Sequence, residues 1–338
     1  MTTPRVLILY NDPVLPRDHP DAESEHEVLV TVAVVHSELT QAGHEVTRLA
    51  VGRNPGVLLA GLREIRPDVV FNLFEGSADD GSTETVVAGM LEWLGVPFTG
   101  CPAHAISLAR NKALAKILLR GAGLPTPDFF VLTEPAVPHC PLDWPVIVKP
   151  ATQDASVGLD QGSVVTDPAA LERRVACLLE RYGPPVLVEK FLDGREFNVA
   201  LVEALDYRFL PISEIRFVGD HADLWPIVTY DAKWKRGSRE DLATPPHYPA
   251  DLDAAMMETL QSVALRAFHL FGCRDYARAD IRLGPSGQPY ILEINPNPDY
   301  NPDAGLTGGL ASLSVTHAQF TADLAQTAWK RGKKNLLN

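Results

Sequence analysis

Apolar runs and helical segments alternate through the first hundred residues, and this alternation restricts the fold more than any other feature of the chain. The apolar run at residues 6–10 is followed by apolar residues at helical spacing, which end at Gly43. Further strand-like runs lie at 46–51, 68–76 and 96–100, with helical segments between them. This β-α-β-α order predicts a mostly parallel sheet that is covered on both faces, with functional groups at the carboxyl ends of its strands.

The pattern changes after about residue 103, and strands dominate from residue 186 onward. Between these points lie a helix, a predicted strand with the sequence WPVIVKP (144–150), and a small polar loop at residues 151–162. We therefore predict an α/β (α+β) protein of three modules: an N-terminal parallel α/β module, a small central module and a C-terminal module with an antiparallel sheet. The predicted bounds of these modules are residues 1–103, 104–185 and 186–338.

Charge and hydrophobicity exclude several classes of function. The 338 residues contain 30 Lys and Arg against 43 Asp and Glu, a net charge of −13, so the chain is a poor candidate for binding nucleic-acid phosphates. The apolar runs are shorter than the roughly 18 residues of a membrane helix, and the first is too short for a signal peptide. Four scattered cysteines without a CxxC motif predict free thiols in a cytoplasmic protein.

The strongest local indication of chemistry is a predicted hairpin at residues 278–295. Strand alternation places Arg278 and Asp280 on one face, and it places Glu293 and Asn295 together on the second strand. A tight central turn then sets Asp280 opposite Glu293 and Arg278 opposite Asn295. Such hard oxygen ligands suit Mg²⁺ that carries substrate phosphates, and the arginine can stabilise a phosphoryl group in transfer. A solvated hairpin face is the alternative, but the apolar neighbours in YILEINP favour a metal site.

Three further charged positions are open to two interpretations. Lys149 ends the apolar strand VIVK, so it either lies at an edge or faces a buried anion. The segment after it, residues 150–158, can fold over phosphates with its backbone N–H groups, although the GxxxxGK[ST] motif is absent. Glu189 and Glu196 flank the sequence FLDG and can accept hydrogen bonds from ribose hydroxyls or an amino group. For Glu189, an ordinary strand-end charge is an equal alternative.

Patterns near the N-terminus favour structural roles. Ser24 and Glu27 have the spacing of a capping box, which predicts that Glu27 supports the start of a helix. His26-Glu27 does not continue as a zinc-binding HExxH motif, because residue 30 is Val.

Six segments follow one another along the chain: SEHEV (24–28), the run 71–100 that starts FNLFEGSADDG, RNKALAKILLRGAGLPTPDF (110–129), VIVKPATQDASVG, VLVEKFLDGREFNVA and ARADIRLGPSGQPYILEINPNP. Together they resemble the D-alanine–D-alanine ligases, a branch of the ATP-grasp carboxylate–amine ligases. The resemblance implies an ATP-grasp fold. It also implies an ATP-dependent ligase that forms an amide through an acyl phosphate and releases ADP and phosphate.

The resemblance further implies a role for each matching residue. The phosphate-binding set is Lys112, Lys149, Lys233, Ser156 and Gly158. The set around adenine and ribose is Glu189, Lys190, Leu192, Glu196 and Leu292. The ligands of two Mg²⁺ ions, or Mn²⁺ in their place, are Asp280, Glu293 and Asn295. Arg278 is expected to steady the transferring phosphoryl group, and Glu25 to meet the amino group of the first substrate.

The chain departs from the family pattern where amino acids bind. A serine, a tyrosine and a glycine of the family are Ala155, Trp234 and Asp299 here, and a His-Gly pair is Glu75-Gly76. We therefore expect amino acids or small peptides other than D-alanine, and Asp299 favours a cationic or carboxylate-free second substrate. The alternatives are a true D-alanine–D-alanine ligase of cell-wall synthesis, a natural-product ligase, a kinase-like enzyme and a non-catalytic ATP-binding regulator. The expected partners are small molecules, neither nucleic acid nor membrane, and a homodimer is compatible with the sequence.

Overall fold

The described residues of the computed structural model fold around three β-sheets. These residues are 3–19, 22–77, 80–136, 139–203, 208–219, 223–301 and 306–335. The strands are β1 (Val6–Asn11), β2 (Val46–Val51), β3 (Val69–Leu73), β4 (Phe129–Leu132), β5 (Val146–Pro150), β6 (Val164–Val165), β7 (Val186–Lys190), β8 (Glu196–Val202), β9 (Arg208–Phe209), β10 (Ser213–Ile215), β11 (Pro246–His247), β12 (Tyr276–Leu283) and β13 (Pro289–Asn295).

Helices connect and cover these strands. They are α1 (Ala22–His26), α2 (Val28–Gln41), α3 (Pro55–Ile65), α4 (Thr83–Trp93), α5 (Ala103–Arg110), α6 (Lys112–Gly121), α7 (Pro168–Tyr182), α8 (Tyr230–Trp234), α9 (Arg239–Ala243), α10 (Ala254–Phe271) and α11 (His317–Asn335). None of the helices in the described ranges is both long enough and apolar enough to cross a membrane.

The first sheet is parallel and buried on both faces. Its strand order is β2-β1-β3, and β1 pairs in parallel with both neighbours. Leu7 and Leu9 of β1 pack into a hydrophobic cluster with α3 to α6 and α10, whereas Val6 and Ile8 pack into a second cluster with α2 and α11. The alternation of side chains along a strand therefore buries β1 on both sides, which confirms the predicted covered parallel sheet.

Residues 96–100 do not form the strand that the sequence predicted. In the described part of the chain, an isolated bridge joins Phe98 to Val70 of β3. Pro97 has no N–H with which to extend a ladder, and Gly100 has a φ of +91°, which turns the chain away. The segment therefore joins β3 through this bridge, in which the Val70 N–H donates to the Pro97 carbonyl and the Thr99 N–H donates to the Val70 carbonyl.

The central sheet is antiparallel, with strand order β4-β7-β5-β6. Helix α7 packs on it and begins after an N-cap, in which the Asp167 carboxylate accepts from the Ala170 N–H at 2.8 Å. The predicted module boundary at residue 185 would separate β7 from this sheet, in which β7 pairs with both β4 and β5. A division after Lys190 keeps the hydrogen-bonded sheet intact.

The C-terminal sheet has the order β11-β10-β8-β12-β13, and β9 pairs with β8. All of its pairings are antiparallel. Strands β12 and β13 form the predicted hairpin, in which Arg278 aligns with Asn295 and Asp280 with Glu293. The register then shifts, because Ile281 aligns with Ile291, so Leu292 has no cross-strand partner in this pair. This bulge lies directly beside the predicted metal-binding face.

Candidate functional site

A cleft with a volume of about 850 Å³ opens between the α1–α2 corner, the central sheet and the C-terminal sheet. The predicted site residues that line it are Lys149, Ser156, Glu189, Lys190, Leu192, Glu196, Lys233, Arg278, Asp280, Leu292, Glu293 and Asn295. Lys112 reaches this set through Glu293, whereas Gly158 and Glu25 do not line the cleft. The structure thus brings most of the predicted residues together.

The hairpin face carries a compact set of charges. The Arg278 guanidinium donates to both oxygens of Asp280, at 2.7 and 2.8 Å, and Asn295 Nδ2 donates to Asp280 Oδ2 at 2.9 Å. Glu293 lies 3.3 Å from Lys112 Nζ. Burial opposes ionisation of Glu293, but the charges of Lys112 and its other cationic neighbours lower the pKa of Glu293 to about 2. Each carboxylate is therefore paired with a cation.

These donors fit a Mg²⁺ ion that is also held by phosphate oxygens. The described residues contain no group of three or more His, Cys, Asp or Glu side chains arranged to hold a metal. Mg²⁺ is commonly bound by one or two carboxylates together with substrate phosphates and water. Asp280 and Glu293 stand in register on one face with the Asn295 amide beside them, which matches that type of site. The binding of two Mg²⁺ ions here, which the family resemblance implies, stays a prediction.

Two lysines surround Glu189 at the floor of the cleft. Lys149 Nζ lies 2.7 Å from Glu189 Oε1, and Lys116 Nζ lies 2.8 Å from Glu189 Oε2. Burial opposes ionisation of Glu189, but the two lysines lower the pKa of this carboxyl. The Glu189 carboxylate is thus a partner of cations and not an isolated strand-end charge.

Sequence reasoning did not assign a role to Lys116. Its side chain is about 1% exposed, and it also donates to Thr126 Oγ1 and to the Leu292 carbonyl. The available signal was the spacing from Lys112, because residues four apart lie on one face of a helix. Both lysines of α6 are buried, which is rare for lysine unless the charge is paired.

Lys112 connects the polar loop to the hairpin. It is the first residue of α6, whose N-cap Asn111 accepts from the Leu114 N–H. The Lys112 ammonium donates to Asp154 at 2.7 Å and pairs with Glu293. Burial opposes the charged form, but these two carboxylates raise the pKa of Lys112 above its ordinary value. Lys112 is therefore a fixed positive charge next to the predicted metal ligands.

The polar loop at 151–162 is tied to the C-terminal module. The Ser156 hydroxyl donates to the Val228 carbonyl at 3.1 Å, and Trp234 Nε1 donates to the Ala155 carbonyl at 2.9 Å. Gly158 has a φ of +78°, and a Cβ there would lie 2.7 Å from Pro150 Cγ, so this position requires glycine. The role of Gly158 is to shape the loop, and Ser156 alone of the two predicted loop residues faces the cleft.

The side of the cleft assigned to ribose contains a second residue that sequence reasoning missed. Arg282 Nη1 donates to the Leu192 carbonyl at 2.9 Å, and Arg282 Nη2 lies 3.1 Å from Glu196 Oε2. Burial raises the pKa of Glu196, although Arg282 opposes that shift. The alternation that grouped Arg278 with Asp280 also places Arg282 on the same face, so the signal was present in the sequence.

A backbone hydrogen bond of Lys190 and the bulge in β13 at Leu292 place these two residues at the cleft. The Lys190 N–H donates to the Asp128 carbonyl at 2.8 Å, and its side chain pairs with Asp143 at the surface. Leu292 and Glu293 are adjacent yet both line the cleft, which a regular strand does not allow. The bulge at Leu292 provides the extra residue that makes this possible.

The acidic residues of the first helices are arranged differently from the prediction. Glu25 is buried, and its carboxylate accepts from the backbone N–H groups of Val14 and Leu15 at 2.7 to 3.0 Å. The capping box is wrong, because Ser24 lies inside α1 and the Glu27 side chain does not cap α2. Glu27 lines the cleft instead and accepts from Asn301 Nδ2 at 2.7 Å. A role for Glu25 towards a substrate amino group stays a prediction.

One end of the cleft is acidic. Asp299 lines it beside Glu27, and Asn301 joins the two by donating its side-chain N–H to Glu27 and its backbone N–H to Asp299. Burial and the Asp299 charge raise the pKa of Glu27. Lys233 also lines the cleft, with its ammonium 4.8 Å from the centre of the Trp234 ring.

Known proteins resemble this chain over most of its length. The family described as "D-ala D-ala ligase C-terminus" matches residues 118–305. The chain is 34% identical to the D-alanine–D-alanine ligase of Gloeobacter violaceus, over 81% of this chain and 85% of that protein. It is also 34% identical to the uncharacterized protein y4sG of Sinorhizobium fredii, over 84% of this chain and 82% of that protein. A crystal structure of the Bacillus anthracis D-alanine–D-alanine ligase complexed with ATP shares the fold, with a TM-score of 0.77, 19% identity, and coverage of 98% of this chain and 99% of that one.

These comparisons confirm the predicted ATP-grasp fold and the predicted carbon–nitrogen ligase class, and the prediction of ATP and Mg²⁺ agrees with them. They favour the D-alanine–D-alanine ligase that the sequence analysis held as an alternative over its expectation of other substrates. With a matching family over more than half of its length and relatives of 34% identity, the chain belongs to the D-alanine–D-alanine ligase family of ATP-dependent carboxylate–amine ligases.

Proposed function

We propose that this ligase joins two molecules of D-alanine through an acyl-phosphate intermediate and releases ADP and phosphate. The observation that carries the proposal is the convergence of Lys149, Arg278 and the Asp280–Glu293 pair on one cleft. Fixed cations and predicted metal ligands in one cleft would supply the positioning and charge neutralisation that phosphoryl transfer needs. Family membership supports the choice of D-alanine.

In this mechanism, a carboxylate oxygen of the first substrate attacks the γ-phosphorus of ATP, and ADP leaves. Arg278 is placed to neutralise the charge that develops on the transferring group, since its guanidinium is fixed by two bonds to Asp280. Lys149 and Lys112 would hold the phosphates, and Mg²⁺ bound by Asp280, Glu293 and Asn295 would neutralise their remaining charge.

In the second step, the amine of the second substrate attacks the acyl carbon, and phosphate leaves. Acyl phosphates react with water, so the site must exclude it. The loop at 151–162 supports such a role, because Ser156 and Trp234 tie it across the cleft. The ordered set of charges also supports an active enzyme over a non-catalytic regulator.

The test is an assay of purified protein with ATP, Mg²⁺ and a panel of D- and L-amino acids. We expect ADP release that requires an amino acid, with D-alanyl-D-alanine detected by mass spectrometry. ADP release without any amide product would instead support a kinase-like enzyme, and no amino-acid-dependent release would contradict the proposal.

A second candidate is a ligase of the same mechanism with a cationic second substrate, as in natural-product assembly. The favouring observation is the acidic end of the cleft, where Asp299 and Glu27 are linked through Asn301. A negative charge there opposes a substrate carboxylate and attracts a second amine. Trp234 and Ala155 also join each other through a hydrogen bond, which differs from the serine and tyrosine expected in the family.

Replacement of Asp299 separates the two candidates. If the second substrate is cationic, Asp299→Gly should lower the specificity for basic amino acids by about tenfold and raise that for D-alanine, since one unscreened charge contact in a cleft is worth about 1 kcal/mol or more. If D-alanine is the natural second substrate, basic amino acids should be poor substrates of both proteins. Asp251→Gly, at an exposed position of the chain, is the control for a general effect of the substitution.

A further inference from the structure

Lys116 lies beneath the floor of the cleft, where its ammonium contacts three oxygen atoms. Its ammonium is 2.8 Å from Glu189 Oε2, 2.9 Å from Thr126 Oγ1 and 3.2 Å from the Leu292 carbonyl. The ammonium thus makes two hydrogen bonds, to Thr126 and Leu292, and one ion pair, with Glu189. Glu189 and Leu292 line the cleft, whereas the Lys116 side chain is about 1% exposed. Any effect of Lys116 on a ligand must therefore act through its neighbours.

The charges around Glu189 do not cancel. Lys149 and Lys116 each bind one oxygen of the same carboxylate, and the three side chains are at most 9% exposed. Two ammonium groups and one carboxylate leave one positive charge among these three side chains. The further carboxylate that acts on both lysines, Glu293, has its own ion-pair partner in Lys112. Burial disfavours the charged form of Lys116 and lowers the pKa of Lys116 to about 8, but the Glu189 charge opposes that shift.

The remaining positive charge lies at the surface of the cleft, on Lys149. Lys149 belongs to the lining, and a phosphate that approaches it would meet an ammonium whose carboxylate partner is already shared with Lys116. Without Lys116, Glu189 and Lys149 would form a neutral pair, and the attraction for phosphate would fall. Charge interactions are strong in such a buried setting because water screens them weakly.

We propose that Lys116 is a positioning residue that neutralises Glu189 and thereby keeps the charge of Lys149 for the nucleotide phosphates. The same ammonium joins the two sides of the cleft, because Glu189 belongs to β7 of the central sheet and Leu292 to the bulge of β13. This inference rests on the proposed use of ATP and adds to it a residue that does not touch the nucleotide.

The test compares the affinities of two ligands that differ only in phosphate. ADP and adenosine are titrated into the full chain by calorimetry, with Mg²⁺ and ionic strength held constant. We expect Lys116→Met to lower the ratio of ADP affinity to adenosine affinity by about fivefold to tenfold, and Lys116→Arg to preserve that ratio. If Lys116 only stabilises the structure, Lys116→Met should lower the affinities for ADP and for adenosine by the same factor. Arg120→Met, at an exposed position near the end of the same helix, is the matched control and should leave both affinities unchanged.

Lys116→Met removes one partner of the buried Glu189 carboxylate, which can destabilise the protein. A second comparison therefore does not use this single variant. Glu189→Gln removes the carboxylate, and Glu189→Gln with Lys116→Met removes both charges. We expect the single variant to have an ADP-to-adenosine ratio above that of the wild type, and the double variant to return to about the wild-type ratio. Equal ratios in these two variants would overturn the proposal.

The outcomes separate this inference from the proposed function. Wild-type protein that binds neither ADP nor ATP would contradict the proposed function, and this inference would fall with it. If the wild type binds ADP, and Lys116→Met has the same preference for ADP over adenosine as the wild type, this inference alone is contradicted.

Discussion

Asp280 and Glu293 are the residues on which the proposed chemistry depends most directly. Their carboxylates stand in register across the hairpin, and each is held by a cation of the protein. We expect Asp280→Asn and Glu293→Gln each to reduce turnover by at least about a hundredfold, because a lost carboxylate weakens the binding of Mg²⁺ with its phosphates. Initial rates of ADP release measure this effect, with circular dichroism as the check of folding.

Asp128→Asn is the matched control for these variants. Asp128 is an exposed carboxylate that pairs with Arg120 at the surface, so its loss should leave turnover unchanged. Wild-type turnover in either hairpin variant would show that the metal assignment is wrong.

Glu84 gives the protein a stability that depends on pH. Its side chain is 8% exposed, and it contacts Arg110 and Asn297. Burial raises the pKa of Glu84 from 4.5 to about 7, against the opposing charge of Arg110. Between these two pH values the folded chain binds this proton more than the unfolded chain does, so the contribution of Glu84 to stability falls as the pH rises.

Glu84→Gln should therefore stabilise the protein at high pH only. At pH 8 we expect the free energy of unfolding to exceed that of the wild type by roughly 2 to 3 kcal/mol, and at pH 4.5 we expect the two to be similar. Urea unfolding at several pH values measures the difference, with Glu258→Gln on the exposed face of α10 as the control. A difference that does not change with pH would contradict this account of Glu84.

Single residues also show where sequence reasoning succeeds and where it stops. Strand alternation together with a tight turn predicted the pairing of Asp280 with Glu293, and the structure has this pairing. Glu27 was assigned to a capping box because its spacing from Ser24 fits one, but α1 and α2 are separate helices at this point. The role of Lys116 depends on residues far along the chain that no local pattern links to it.

At the scale of elements, the proposed mechanism depends on closure of the loop at 151–162 over the phosphates. Its contacts across the cleft include the bond from Trp234 Nε1 to the Ala155 carbonyl at 2.9 Å. Trp234→Phe keeps the aromatic ring and removes this donor. Because one hydrogen bond contributes about 1 kcal/mol, we expect amide exchange in the loop to become about fivefold faster without nucleotide.

Hydrogen exchange followed by mass spectrometry measures this effect. Mg²⁺ with ATP should slow exchange in the loop of both proteins, since the loop is predicted to close over phosphates. Trp93→Phe is the control, because the Trp93 side chain is 89% exposed on α4. Exchange that is equally slow in all three proteins, with and without nucleotide, would argue against a closing loop.

The hairpin element illustrates what a sequence pattern leaves out. The alternation of β12 and β13 predicts a regular hairpin, and the observed strands follow it from Arg278 to Asp280. The bulge at Leu292 has no glycine or proline to mark it, so the sequence alone does not predict it. That bulge turns Leu292 towards the cleft and frees its carbonyl for Lys116.

At the scale of the whole molecule, the expected parallel N-terminal sheet and antiparallel C-terminal sheet are both present. The antiparallel pairing of the central sheet was not predicted. The boundary at residue 185 fell inside the central sheet, because β7 joins β4 and β5 through pairings that are distant in sequence. Residues 96–100 have the composition of a strand, but Pro97 and Gly100 limit their pairing with β3.

The central claim is that the assembled cleft activates a carboxylate by phosphorylation before an amine attacks it. An acyl phosphate contains one oxygen of the substrate carboxylate, and that oxygen leaves with the phosphate when the amide forms. The most direct measurement uses ATP, Mg²⁺ and D-alanine labelled with ¹⁸O in its carboxylate, followed by mass spectrometry of all products. We predict ADP, D-alanyl-D-alanine, and phosphate that carries one ¹⁸O atom from the substrate. Formation of AMP, or of phosphate without the label alongside the dipeptide, would contradict the account.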